Sequence, residues 1–149
     1  MRLVIQRVLE SSVTIDGNVV GKIGRGYMVL CGVEDGDTDA DLQYCIKKTV
    51  GLRVFEDENG KMNRSIHEAG GEILAISQFT LHGDMRRGNR PSFITAARPE
   101  LAVPMYDAYC KGLRDAGLHV ETGIFQADMK VSLINDGPVT ILIDSRRIF

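Results

Sequence analysis

Gly70-Gly71-Glu72-Ile73-Leu74-Ala75-Ile76-Ser77-Gln78-Phe79-Thr80-Leu81 is the stretch on which the fold turns. Two glycines break the chain before it. Glu72 to Leu81 then reads as a strongly apolar strand that runs into Ser77-Gln78-Phe79-Thr80. Polar residues that close a buried strand need a reason, because an unpaired buried polar group is costly. Physics alone leaves two reasons open: bonds to neighbouring backbone, or a reaction site.

Upstream, the first third reads as a β-meander. Leu3 to Val8 alternates, and Ser12 to Ile15 leads into the hairpin signal Asp16-Gly17-Asn18. Gly21, Gly24 and Gly26 punctuate the approach to a buried strand, Tyr27 to Val33; their spacing is not a dinucleotide fingerprint. Asp35 to Asp41 is acidic, but Ala40 and Ile46 stand where a calcium loop needs glycine and glutamate. A helix start capped by Thr38 is the better reading, with Leu42, Cys45, Ile46 and Thr49 on one face to about Val50. Leu52 to Phe55 predicts a strand, and Glu56 to Gly60 a hairpin loop.

Downstream, His82 to Arg98 is a long Arg- and Gly-rich loop. A second helix is predicted from Pro99-Glu100 to Gly117, with Leu101, Met105, Ala108, Tyr109, Gly112 and Leu113 as its apolar stripe. Strands over Leu118 to Phe125, Met129 to Ile134 and Val139 to Asp144 close the chain, the last two separated by Asn135-Asp136-Gly137-Pro138. The tally predicts an α/β fold: one compact domain over residues 1–149, a mixed β-sheet or partly open barrel with two main helices.

Composition narrows the function. With 44% hydrophobic and 26% charged residues, the 149-residue chain can bury a core without metal or disulfide. Met1-Arg2-Leu3-Val4-Ile5-Gln6-Arg7 has charges where a signal core would lie, and no apolar run reaches membrane-spanning length. Cys31, Cys45 and Cys110 are odd in number and widely spaced, as expected of buried free thiols. The expectation is a cytoplasmic protein without membrane contact. A net charge of −2 argues against a general nucleic-acid coat. It leaves room for a local basic patch at Arg86, Arg87, Arg90 and Arg98, although a solvated loop face explains the same residues.

His67, His82 and His119 have no partner at metal-ligand spacing and read as polar surface or strand residues. The chain has no nucleophile elbow and no phosphate-binding loop. Gly137-Pro138 on physical grounds reads as a turn, with a cis bond as the alternative.

Five segments, taken in order, resolve these alternatives. Ile5-Gln6-Arg7-Val8 with Ser12-Val13-Thr14, Gly60-Lys61-Met62-Asn63, Ser77-Gln78-Phe79-Thr80-Leu81, Arg87-Gly88-Asn89-Arg90-Pro91-Ser92-Phe93 and Asn135-Asp136-Gly137-Pro138-Val139-Thr140 together resemble the D-aminoacyl-tRNA deacylase family from end to end. Gln126 departs from the family, which more often has a small residue there, and His82-Gly83 departs after Leu81.

The resemblance implies a cofactor- and metal-free hydrolase that cleaves the ester of D-aminoacyl-tRNA, with mischarged glycyl-tRNA as a further expected substrate. It implies that Ser77, Gln78, Phe79 and Thr80 line the reaction site, with the Phe79 N–H facing the scissile carbonyl. Thr80 is either a nucleophile or a positioning group beside a reaction helped by the ribose 2′-hydroxyl. Ala97, Phe125 and Met129 match positions that seat the adenosine, and Arg86, Arg87 and Arg90 are expected on the tRNA backbone. In the family Gly137-Pro138 is cis and enters the partner's pocket in a homodimer. A non-enzymatic RNA-end-binding module, a small-metabolite esterase and a structural dimer are the competing classes.

Overall fold

The computed structural model describes residues 1–149. Its organising element is β1 (Arg2–Ile15), long enough to serve several partners. The positive-φ pair Asp16-Gly17 makes the tight turn to β2 (Asn18–Ile23). β3 (Gly26–Gly32) pairs antiparallel with the first half of β1, and β2 pairs with the second half. Thr38 and Asp41 form the entry to α1 (Asp39–Gly51), where the Thr38 N–H donates to the Asp41 carboxylate at 2.8 Å. β4 (Arg53–Glu56) and β5 (Met62–Ser65) form a separate small ribbon.

β6 (Glu72–Ser77) runs parallel to β3. Gly26 makes this possible, since a Cβ there would collide with the Glu72 backbone. α2 (Pro99–Asp115) follows the long loop, then β7 (Val120–Thr122), parallel to β6. β8 (Lys130–Asp144) returns along the free edge of β1. β2 curls over toward β7, and a Cβ on Gly21 would meet the Thr122 carbonyl at 2.9 Å. The sheet is therefore a partly open barrel with two helices, as the sequence predicts.

The apolar run Ile73 to Ile76 is buried on both faces. Ile73 and Ala75 join Leu3, Ile5, Val29 and Cys31 beneath the helices. Leu74 and Ile76 join Val8, Val13, Ile23 and Met28 inside the curl. Each fully buried side chain of this size stabilises the fold by about 1.5–3 kcal/mol. The Thr49 and Tyr109 hydroxyls meet at 2.8 Å and tie the helices together. The three cysteines are buried and free. Burial pushes the Cys110 thiol up to about 11.

Four expectations need correction. The strand over 72–81 stops at Ser77, and Phe79–His82 is a short 3-10 turn. The strand predicted over Leu118 to Phe125 shrinks to Val120–Thr122, because a turn at 124–127 takes the chain off the sheet. The buried stripe of α2 is Ala102, Tyr106, Tyr109, Cys110 and Leu113, one residue on from the predicted one, leaving Leu101, Met105 and Ala108 half-buried at its flank. Finally, the two closing strands are one strand. The Asn135 amide donates to the Arg7 carbonyl at 2.9 Å and the Val139 carbonyl at 3.0 Å, which holds Asp136 to Pro138 as a bulge on a continuous ladder.

Candidate active site

β3, β6 and β7 run parallel, so their C-terminal ends share one rim, where open α/β sheets place their ligand sites. A cavity of about 700 Å3 opens there. That volume suits a small-molecule-sized group. One wall is the corner after β6, from Ser77 to Phe79; a second is the loop after β7, with Phe125 and Met129; a third is Phe93 to Ala102.

The corner is built by backbone. The Gln78 N–H donates to the Cys31 carbonyl at 2.8 Å, which fixes the strand end against β3. Phe79 and Thr80 then open the 3-10 turn, whose first N–H groups have no acceptor inside it. Gly32 must lack a side chain, since a Cβ would meet the Gln78 carbonyl at 2.9 Å. The Gln78 carboxamide donates to the Thr80 hydroxyl oxygen. No carboxylate or imidazole bonds that hydroxyl. The Ser77 hydroxyl lines the cavity without a hydrogen bond of its own. The Phe79 ring is 55% exposed and packs edge-on against Phe93, centroids 5.1 Å apart, which makes the pair a platform at the rim.

The structure thus brings Ser77, Gln78, Phe79, Ala97, Phe125 and Met129 to one cavity, with Thr80 beside it. Gly123 allows the Met129 thioether to pack close, since a Cβ there would collide with its sulfur. Sequence reasoning missed Phe93 as a wall residue, although it closes the Arg87–Phe93 segment. Gln126, whose departure from the family pattern bears on the fit of the tRNA end, lines the cavity at a φ of 64°.

Other candidates lie elsewhere. Arg86, Arg87 and Arg90 are exposed on the loop after the corner. Arg86 is committed in part to Asp84, with Nη2–Oδ2 at 2.7 Å, and it holds that carboxyl well below the usual carboxylate range. Gly137-Pro138 is cis, exposed, and outside the cavity of its own chain. The corner around it is pinned: the buried Arg7 guanidinium donates to the Asp136 carbonyl at 3.2 Å, pairs with its carboxylate at 3.1 Å and donates to the Val54 carbonyl at 2.6 Å. Gly137 has a φ of 125°, and a Cβ would crowd Val139 and Arg7.

His82 corrects an expectation. Its ring is buried, with both nitrogens unpartnered, because the 3-10 turn carries it inward against Gly32. The Glu34 carboxylate lies 4.0 Å from its Nδ1, itself paired with Arg146 at 3.1 Å, and Arg2 also acts on the ring. Burial lowers the His82 pKa from its ordinary value.

Comparison with known proteins agrees with this geometry. The family model described as D-Tyr-tRNA(Tyr) deacylase matches residues 4–144. The D-aminoacyl-tRNA deacylase of Symbiobacterium thermophilum is 61% identical over 149 residues, covering 100% of this chain and 99% of that protein. That of Desulfitobacterium hafniense is 59% identical over the full length of both. Among solved structures, the c-Myc DNA Unwinding Element Binding Protein superposes with a TM-score of 0.91 at 41% identity, covering 97% of this chain and 98% of that one. A probable eukaryotic D-amino acid tRNA deacylase superposes at 0.81 and 20% identity over 96% and 98%, a likeness of fold. No helix is long and apolar enough to cross a membrane.

Proposed function

We propose, from the premise that this chain belongs to the D-aminoacyl-tRNA deacylase family, that it hydrolyses the ester between a D-amino acid and the 3′-terminal adenosine of tRNA, a proofreading step in translation. The observation that carries the reading is the cavity itself: a backbone-built polar corner at Ser77 to Thr80 facing an apolar seat of Ala97, Phe125 and Met129. The aminoacyl ester is already activated. The enzyme has to place it, stabilise the oxyanion and admit water.

The Phe79 N–H donates to the scissile carbonyl as negative charge develops there. Ala97, Phe125 and Met129 take the flat adenosine. Gln78 fixes Thr80, and Thr80 positions the reacting end without attacking it, because no carboxylate or imidazole bonds its hydroxyl. The ribose 2′-hydroxyl then helps activate water. Arg87 and Arg90, with Arg86 less available, meet phosphates of the acceptor end in a cytoplasmic setting.

The working unit is a homodimer in which Gly137-Pro138 of one protomer enters the cavity of the other. Two features support it. The pair is a pinned, exposed bulge that does not line the cavity of its own chain. Ile134 and Leu142 on the same strand are 50% and 59% exposed, which leaves apolar surface for a second copy to cover.

Incubation with D-tyrosyl-tRNA and L-tyrosyl-tRNA tests the reading. Rapid loss of the D-ester alone is expected. Protection of both esters would mean an RNA-end-binding module, and equal loss of both a general esterase.

A further inference from the structure

Residues 124–127 make a tight turn, closed by the Ala127 N–H donating to the Ile124 carbonyl at 3.2 Å. The positive φ falls on its third residue, Gln126, at 64°. That is the pattern of a type II turn, where glycine or asparagine is favoured because other side chains crowd the backbone. A glutamine at such a place carries local strain, and strain of this kind points to a task for the side chain. Gln126 lines the cavity, is exposed there, and its side chain makes no hydrogen bond within the chain. The other polar groups of these walls are Ser77, Gln78 and Asp128. Gln78 is engaged with Thr80, and Asp128 with Lys130 at 2.8 Å. Gln126 therefore presents the cavity with a carboxamide that nothing in the chain engages, beside Phe125 and near Met129.

We propose that the Gln126 carboxamide is a specificity-determining contact that reads the edge of the terminal adenine. This rests on the assignment of Phe125 and Met129 as the adenosine seat. An aromatic ring and a thioether hold the faces of a flat base but cannot tell one base from another. A carboxamide offers one donor and one acceptor side by side. Adenine answers with its 6-amino group and a neighbouring ring nitrogen, the pairing that Gln and Asn make with this base elsewhere. Gln126 lies on the β7 loop and not on the β6 corner that carries the ester, so its effect falls on binding and leaves the chemistry of the bond to the corner.

The test compares D-tyrosyl-tRNA ending in adenosine with the same tRNA ending in purine riboside, which lacks only the 6-amino group. Wild type is expected to show a KM about tenfold higher for the purine riboside substrate, the size of one good bidentate contact. Gln126→Gly and Gln126→Ala should each raise KM on the adenosine substrate by about the same factor and erase the difference between substrates. Unfolding separates strain from recognition. Gln126→Gly should melt a few degrees higher than wild type, while Gln126→Ala keeps the strained φ and does not. A wild type that treats the two endings alike, or a Gln126→Gly variant that still discriminates, overturns the assignment and leaves the deacylase reading intact. A fall in kcat with KM unchanged overturns it too. A wild type that cleaves neither substrate overturns both readings.

Discussion

Thr80 and His82 sit two residues apart and have opposite surroundings. The Thr80 hydroxyl accepts from Gln78 and has no base beside it. Thr80→Ala is therefore expected to keep measurable deacylation, within about tenfold of wild type. Replacing the 2′-hydroxyl of the terminal ribose with hydrogen should cost about a hundredfold or more, the usual weight of a lost proton-transfer partner. A dead Thr80→Ala enzyme that meets a normally reacting 2′-deoxy substrate would restore Thr80 as nucleophile. His82 is sealed from water with no partner for either nitrogen. Its depressed pKa sets the sign of a pH effect. The unfolded chain takes the proton first as pH falls, so the stability held by the neutral ring is whole above the ordinary histidine value of 6.5. It is lost as pH falls below that value toward the lower pKa of the folded state. The urea midpoint of wild type should drop between pH 7 and pH 5, and that of His82→Leu should drop less. Parallel curves would assign the acid sensitivity to other groups, with Glu34 and Arg146 the nearest network.

At the scale of elements, the loop between the corner and α2 carries the charge argument. Arg86 is bidentate on Asp84, with its Nε at 2.9 Å and Nη2 at 2.7 Å, while Arg87 and Arg90 form no ion pair. Arg87→Ala with Arg90→Ala should weaken tRNA binding and lower the salt slope by about 2, near one unit per phosphate contact. Arg86→Ala alone should change it less, and D/L preference should hold in all variants. Equal slopes for wild type and the double variant would place the tRNA backbone elsewhere. The same loop shows what a sequence can disclose. Periodicity located both helices, the β1–β3 meander and the apolar run of β6, because each follows from local spacing and turn chemistry. The Ser77–Thr80 corner was visible as misplaced polarity. Its geometry was not, since the Gln78 bond to Cys31 and the need for Gly32 join segments more than forty residues apart. Burial of His82 and continuity of β8 through Asn135 to Pro138 depend in the same way on contacts with Gly32 and Arg7. Gln126 was conspicuous only as a departure from the family pattern, and its positive φ gave that departure a physical meaning.

At the scale of the whole molecule, the question is what measures handedness. D- and L-aminoacyl groups share every atom and differ only in where the α-carbon directs its side chain and hydrogen. A gauge must touch the α-carbon from one fixed direction, and a mobile side chain would yield to the wrong enantiomer. The Gly137-Pro138 bulge is backbone, held by Arg7 through Asp136 and by Asn135 across the strand. Within one chain neither residue lines the cavity, so in the proposed dimer it is the second copy's substrate that the bulge gauges. Leu142→Arg puts a charge into the exposed apolar strand beside it without touching the core. The expected product is a folded monomer by sedimentation and circular dichroism. Its deacylation of D-tyrosyl-tRNA should fall by about a hundredfold, the cost of a misplaced reacting group, and its residual activity should no longer prefer the D-ester. A carbonyl that rejects L-residues by a clash leaves room for hydrogen, and glycine has hydrogen in both positions. Intact dimer should therefore cleave glycyl-tRNA at high enzyme concentration, whereas the monomer should treat glycyl, D- and L-esters alike. A monomer that keeps full rate and full discrimination would remove the partner's corner from the mechanism. Complete resistance of glycyl-tRNA to the dimer would show that something other than a clash at the α-carbon selects the substrate.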